Sequence, residues 1–137
     1  MKFPVQTKPV PENSEAIDVH LIVPPGDVPY YVEYVLDEAD ATIDIQLYYD
    51  KKEKRIAEDS REDVRIKYSE TTGRVYRLKI ENYSDSRHAA NSAKRALASL
   101  LRMSDSQRYI NNIRMAIRIV GKTLELAQQG PWDSLQN

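Results

Sequence analysis

The chain has 137 residues, 41% apolar and 30% charged, with a formal net charge of −1 and no cysteine. That is enough for one domain burying about two-thirds of its unfolded surface, and it excludes disulfides and thiolate metal centres. No apolar run approaches the roughly 18–20 residues of a membrane span, and "MKFPVQTKPVPENSE" lacks the apolar centre of a signal peptide, so a cytoplasmic protein is expected.

Residues 1–15 carry Pro4, Pro9 and Pro11. Proline fixes φ and removes a backbone donor, so an extended Pro-rich arm is expected, ahead of a single α+β domain over 16–137. Ile17, Val19, Leu21 and Val23 alternate with Asp18 and His20 and predict a strand. "PPGD" at 24–27 supplies turn chemistry.

"VPYYVEYVLDEA" (28–39) fits a helical face as well as a strand. Its Tyr and Val content and the position of Asp37 and Glu38 at the wrong end of a helix dipole favour the strand. Ile43, Ile45, Leu47 and Tyr49 mark the next strand. The charged run "KKEKRIAEDSRED" (51–63) reads as a solvated loop.

Residues 63–83 read as a β-hairpin with Gly73 at the turn exit. Val64, Ile66 and Tyr68 pair with Tyr76, Leu78 and Ile80 on the buried face. Arg65, Lys67, Arg77 and Lys79 fall together on the other.

Two helices follow, at about 85–103 and 105–129. Ser84 or Asp85 caps the first, which turns Ala89, Ala93, Ala96, Leu97, Leu100 and Leu101 inward. Ser104 with Gln107 has capping-box spacing for the second, which stops at "GP" (130–131). Gly121 inside it costs about 1 kcal/mol against Ala, so close packing or a bend is expected there. The fold expected is an antiparallel sheet of four or five strands over 16–83, with the two helices on one face.

Charge is unevenly distributed. Residues 1–60 hold 6 basic and 13 acidic side chains, residues 61–83 hold 6 and 4, and residues 84–137 hold 8 and 4. Such asymmetry points to a polyanionic partner or to the two halves neutralising each other. Catalysis finds little material. His20 and His88 are the only histidines, the four glycines (26, 73, 121 and 130) form no phosphate loop, and the carboxylates lack metal-loop spacing. Asp44 and His20 are possible neighbours across strands, a pair common in inert sheets. No enzyme, no cofactor and no metal site are expected, and no residue pattern identifies a family.

Two binding readings remain. The first is single-stranded nucleic-acid binding, through Arg65, Lys67, Arg77 and Lys79 with Arg87, Lys94, Arg95 and Arg102 on a compatible face. Nine tyrosines available for stacking support it. The second is a homo-oligomeric interaction or adaptor module, a dimer, whose interface uses Ile110, Ile113, Ile117, Val120, Leu124 and Trp132. The same stripe at helical spacing also suits an intramolecular core. Arg114, Arg118 and Lys122 form a second stripe. It is expected to meet single-stranded nucleic acid or an acidic protein surface, or else to pair internally with Asp37, Glu38 or Asp44.

Overall fold

In chain order the strands are β1 (Lys2–Gln6), β2 (Ile17–Asp18), β3 (Tyr31–Asp37), β4 (Thr42–Tyr48), β5 (Ala57–Arg61), β6 (Val64–Tyr68) and β7 (Val75–Ile80). The helices α1 (Ser86–Leu100) and α2 (Gln107–Gln129) follow. This is a computed structural model, and it describes residues 1–7, 15–19 and 23–129. The seven strands form one mixed sheet in the order β2-β1-β3-β4-β7-β6-β5, followed by the two C-terminal helices. The class is α+β, as the run of strands before the run of helices implied.

The sheet is wider than the four or five antiparallel strands expected, for two local reasons. The Pro-rich segment begins with a strand, because Phe3 and Val5 alternate and both are buried. Pro4 is tolerated because β2 pairs only with Val5 and Gln6, beyond it, and that pairing is parallel. The second extra strand is β5, inside the charged run read as a loop. It pairs with β6 at the sheet edge, where a strand needs no apolar face.

Residues 31–37 are a strand, as their Tyr and Val content suggested. The hairpin register differs from the simple alternation by a bulge. Lys67 pairs with Arg77, but Tyr68 pairs with Val75, so Tyr76 is the extra residue on β7. Asp85 caps α1 by accepting from the His88 N–H at 2.7 Å. The start of α2 is capped by Ser106, whose hydroxyl accepts from the Tyr109 N–H at 3.4 Å, rather than by Ser104. Gly121 needs no special packing, since a Cβ there would meet nothing within 4 Å and the helix continues through it.

Both helices cover the same face of the sheet. Ile43, Ile45, Leu47, Ile66, Leu78 and Ile80 meet Leu97 and Leu100 of α1 and Ile113, Ile119 and Val120 of α2 in one core. α1 lies over β6 and β7, and α2 over β2, β3 and β7. The other face has no element packed on it among the described residues, and its side chains are exposed or half-buried.

Candidate nucleic-acid interface

The period of two along a strand delivers the four hairpin cations to this open face. Arg65 pairs across with Lys79, and Lys67 with Arg77, while β4 places Asp44 beside Lys79 and Gln46 beside Arg77. Arg65, Lys67, Arg77 and Lys79, with Glu58 from β5, line a hollow of about 260 Å³.

The same face carries rings. Tyr31 and Tyr48 are directly opposite on β3 and β4 and stack, with centroids 4.3 Å apart and planes 17° from parallel. Lys2 of β1 sits 5.1 Å from the Tyr31 centroid, and Tyr30 meets Tyr31 edge-on at 4.8 Å. Tyr48 also lines a second hollow of about 260 Å³, with Gln46, Lys52, Ile56, Tyr76, Lys67 and Arg77 among its walls. Tyr31 therefore covers the β3 side of the Tyr48 ring, and the hollow lies on its β7 side. Lys67 and Arg77 belong to both hollows, so an aromatic cavity adjoins a cationic one.

Most of these cations already have partners. Arg77 makes two bonds to the Asp44 carboxylate, its Nε at 2.9 Å from Oδ1. Asp44 therefore faces Arg77; His20, its imagined neighbour, lies outside the described residues. Arg65 and Lys79 both approach Glu81, at 3.7 and 3.9 Å, and Lys2 approaches Glu33 at 3.7 Å. Lys67 is exposed and has no ion pair among the described residues.

Arg87, Lys94, Arg95 and Arg102 do not join this surface. They are exposed on α1 and the 3₁₀ turn after it, in the helix layer on the other side of the sheet from the open face, and Arg95 lines a hollow with Arg61, Glu62 and Val64 at the β5–β6 edge. The apolar stripe of α2 turns the other way, into the core. Ile113, Val120 and Leu124 are at most 3% exposed, Ile110 and Ile117 are half-buried against the same cluster, and Trp132 lies outside the described residues. That stripe serves as an intramolecular seam.

A polar cluster that the sequence did not announce closes one end of the molecule. Asp27, at the end of a 3₁₀ turn, is fully buried. It accepts from Arg74 Nε at 2.9 Å, from Arg108 Nε and Nη2 at 2.7 and 2.8 Å, and from Asn112 Nδ2 at 3.0 Å. Burial alone would raise its carboxyl. The bonds from Arg108, Asn112 and Arg74 outweigh burial and hold it well below the usual carboxylate range.

Beside it, Glu53 accepts from the hydroxyls of Ser69, Thr72 and Tyr76 and faces Arg74 at 3.8 Å. These donors lower its carboxyl against the opposing effect of burial. Asn112 also donates to the Thr72 carbonyl at 2.8 Å, which ties the β6–β7 turn to α2. The carboxylates are saturated by internal donors, so this cluster is a clasp between distant segments and offers no free base or nucleophile.

Among the described residues no group of three or more His, Asp or Glu side chains is placed to hold a metal, and no helix is long and apolar enough to cross a membrane. Comparison with protein-family models, with curated proteins and with solved structures finds no match.

Proposed function

We propose that this is a non-enzymatic binding protein that holds single-stranded nucleic acid on the open face of its sheet. The observation that carries the reading is the position of Tyr48, stacked on Tyr31 on one side and walling an aromatic hollow on the other. An unpaired base entering that hollow extends the existing stack, and base–aromatic stacking contributes about 1–3 kcal/mol. Its phosphate then reaches the adjoining hollow through the shared Lys67 and Arg77.

The ion pairs on this face do not oppose such binding strongly. The side chains of Arg65, Arg77 and Lys79 keep 58%, 37% and 39% of their exposure, and pairs of this kind are worth about 0–1 kcal/mol. A phosphate can take the place of a carboxylate at little cost. The same pairing implies modest affinity and few released counterions, a slope of roughly −3 in log K against log salt for four phosphate contacts.

Fluorescence anisotropy with labelled oligo(dT) and oligo(U), at low and moderate salt, tests the reading. Binding that weakens with salt and drops on Tyr48→Ala and on Lys67→Ala is expected. Absence of binding at low salt refutes it. A second reading, a protein partner on this same face, draws on the exposure of Tyr30 and Val35, 48% and 61%. It predicts capture that is insensitive to oligonucleotide competitor.

A further inference from the structure

The opposite side of the molecule carries a different charge pattern. Over the described residues 84–129 there are eight cations against Asp85, Asp105 and Glu125. Arg108 is committed to Asp27, and Lys122 pairs with Glu125 at 3.2 Å. Arg87, Lys94, Arg95, Arg102, Arg114 and Arg118 are all exposed, and none has a carboxylate within 4 Å among the described residues. On the open sheet face, by contrast, Lys2, Arg65, Arg77 and Lys79 have a carboxylate within 4 Å, and only Lys52 and Lys67 lack one among the described residues.

The sequence spacing sets the α2 charges in one row, with the α1 charges spread over the exposed side of the neighbouring helix. α1 and α2 are joined by a short connection and pack side by side as an antiparallel hairpin, with axes about 8–10 Å apart. Arg114, Arg118 and Lys122 repeat every four residues, about 6 Å along the α2 axis. On α1, Lys94 and Arg95 are adjacent in sequence and so about 100° apart around the axis. Arg95 lines a hollow with Arg61, Glu62 and Val64 at the β5–β6 end of the layer, and Arg118 and Lys122 line one with Ile17 and Asp18 of β2 at the other.

Three features identify the partner class. Of the exposed large apolar side chains among the described residues, Met1, Tyr30, Val35 and Met103, only Met103 borders the hairpin. A lipid surface, which gains from apolar insertion as well as charge, is thus poorly served. An acidic protein would supply carboxylates at fixed places, whereas evenly stepped cations suit a uniformly charged chain. The exposed positions of the hairpin hold no aromatic ring, so nothing here stacks on or reads a base.

We propose that the outer face of the α1–α2 hairpin is a polynucleotide-binding surface that grips the phosphate backbone without regard to sequence, and that one molecule thereby holds two strands on opposite sides. The first part stands alone; the second rests on the sheet-face reading above.

The test uses the intact protein with a labelled duplex, a labelled oligo(dT), and a donor–acceptor pair of oligonucleotides. The hairpin variant K94A/R95A/R114A/R118A keeps helix-favouring residues at exposed sites, and circular dichroism checks its fold. It is expected to lose roughly tenfold or more in duplex affinity at low salt, with the salt slope reduced by about 0.9 for each contact removed. The variant K94R/R95K/R114K/R118K, which keeps the charge, is expected to retain binding.

Unchanged duplex affinity in the alanine variant overturns the hairpin surface. So does an equal loss in the charge-preserving variant. Energy transfer between the two oligonucleotides is expected with the wild type and is lost in the hairpin variant and in Tyr48→Ala/Lys67→Ala. Duplex binding without any transfer overturns the two-strand part alone. Transfer that survives Tyr48→Ala/Lys67→Ala refutes the sheet-face reading and leaves the hairpin surface in place.

Discussion

Arg108, in the first turn of α2, closes on both carboxylate oxygens of Asp27, a residue 81 positions earlier, with bonds of 2.7 and 2.8 Å. Asp27 is wholly buried, so removing its carboxylate takes the shared acceptor from the largely buried Arg74 and the buried Asn112 and frees Arg108 to solvent. Asp27→Ala is expected to cost about 3–5 kcal/mol, read from urea unfolding at neutral pH.

The same clasp fixes a pH dependence. The Asp27 carboxyl is held below its ordinary value in the folded chain, and Glu53 is lowered too. The unfolded chain therefore binds more protons than the folded one as pH falls through about 4. Stability is fully present above that value and is lost progressively below it. Urea midpoints measured from pH 7 down to pH 3 should fall in the wild type and fall less in Asp27→Ala; parallel curves would refute the assignment.

Gly73 lies against the backbone of α2. Its φ is +78°, and a Cβ would stand 2.5 Å from the Tyr109 carbonyl oxygen. Gly73→Ala thus combines a left-handed backbone with a clash against rigid helix, and a loss of more than about 2 kcal/mol is expected in thermal unfolding.

Gly121 is the opposite case. A methyl group there meets nothing, and the helix already passes through the position. Gly121→Ala is expected to stabilise the protein by about 1 kcal/mol, with an increase in Tm as the readout.

Ile113 is fully buried in the core that α2 shares with the sheet. Ile113→Ala is expected to cost about 2–5 kcal/mol. Its unfolding midpoint should move by the same amount at low and high protein concentration, because the side chain is covered by its own chain.

The fold was legible where a period repeats. β4, β6, β7 and both helices follow from alternation or three-four spacing, β3 was settled by its Tyr and Val content instead, and of the inward stripe of α1 all are buried but Leu101, which is half-buried. β1 was hidden because its prolines mask the alternation of Phe3 and Val5. β5 was hidden because an edge strand needs no apolar face. At the candidate site, alternation correctly gathers Arg65, Lys67, Arg77 and Lys79. It cannot say that Arg87, Lys94, Arg95 and Arg102 lie on the other side of the sheet from them, since that depends on which face the helices cover.

The Asp27 clasp was illegible for another reason. Its members at 27, 53, 74, 108 and 112 share no local spacing, and they meet only once the sheet and α2 are assembled. The one signal was Gly73 itself, a glycine at a turn exit whose tight approach to Tyr109 positions Thr72 and Arg74.

The edge strand β5 decides how far the sheet can grow. An unpaired edge is a template for another chain, and long apolar edges invite fibrillar association. Here the rim is five residues long, Ala57–Arg61, with Glu58, Asp59 and Arg61 along it and an Arg61–Asp59 ion pair at 3.1 Å. An incoming strand would have to desolvate those charges against a rim with almost no apolar reward. The charge density that made this segment read as a loop therefore makes it a gatekeeper against aggregation for a sheet whose other face stands open.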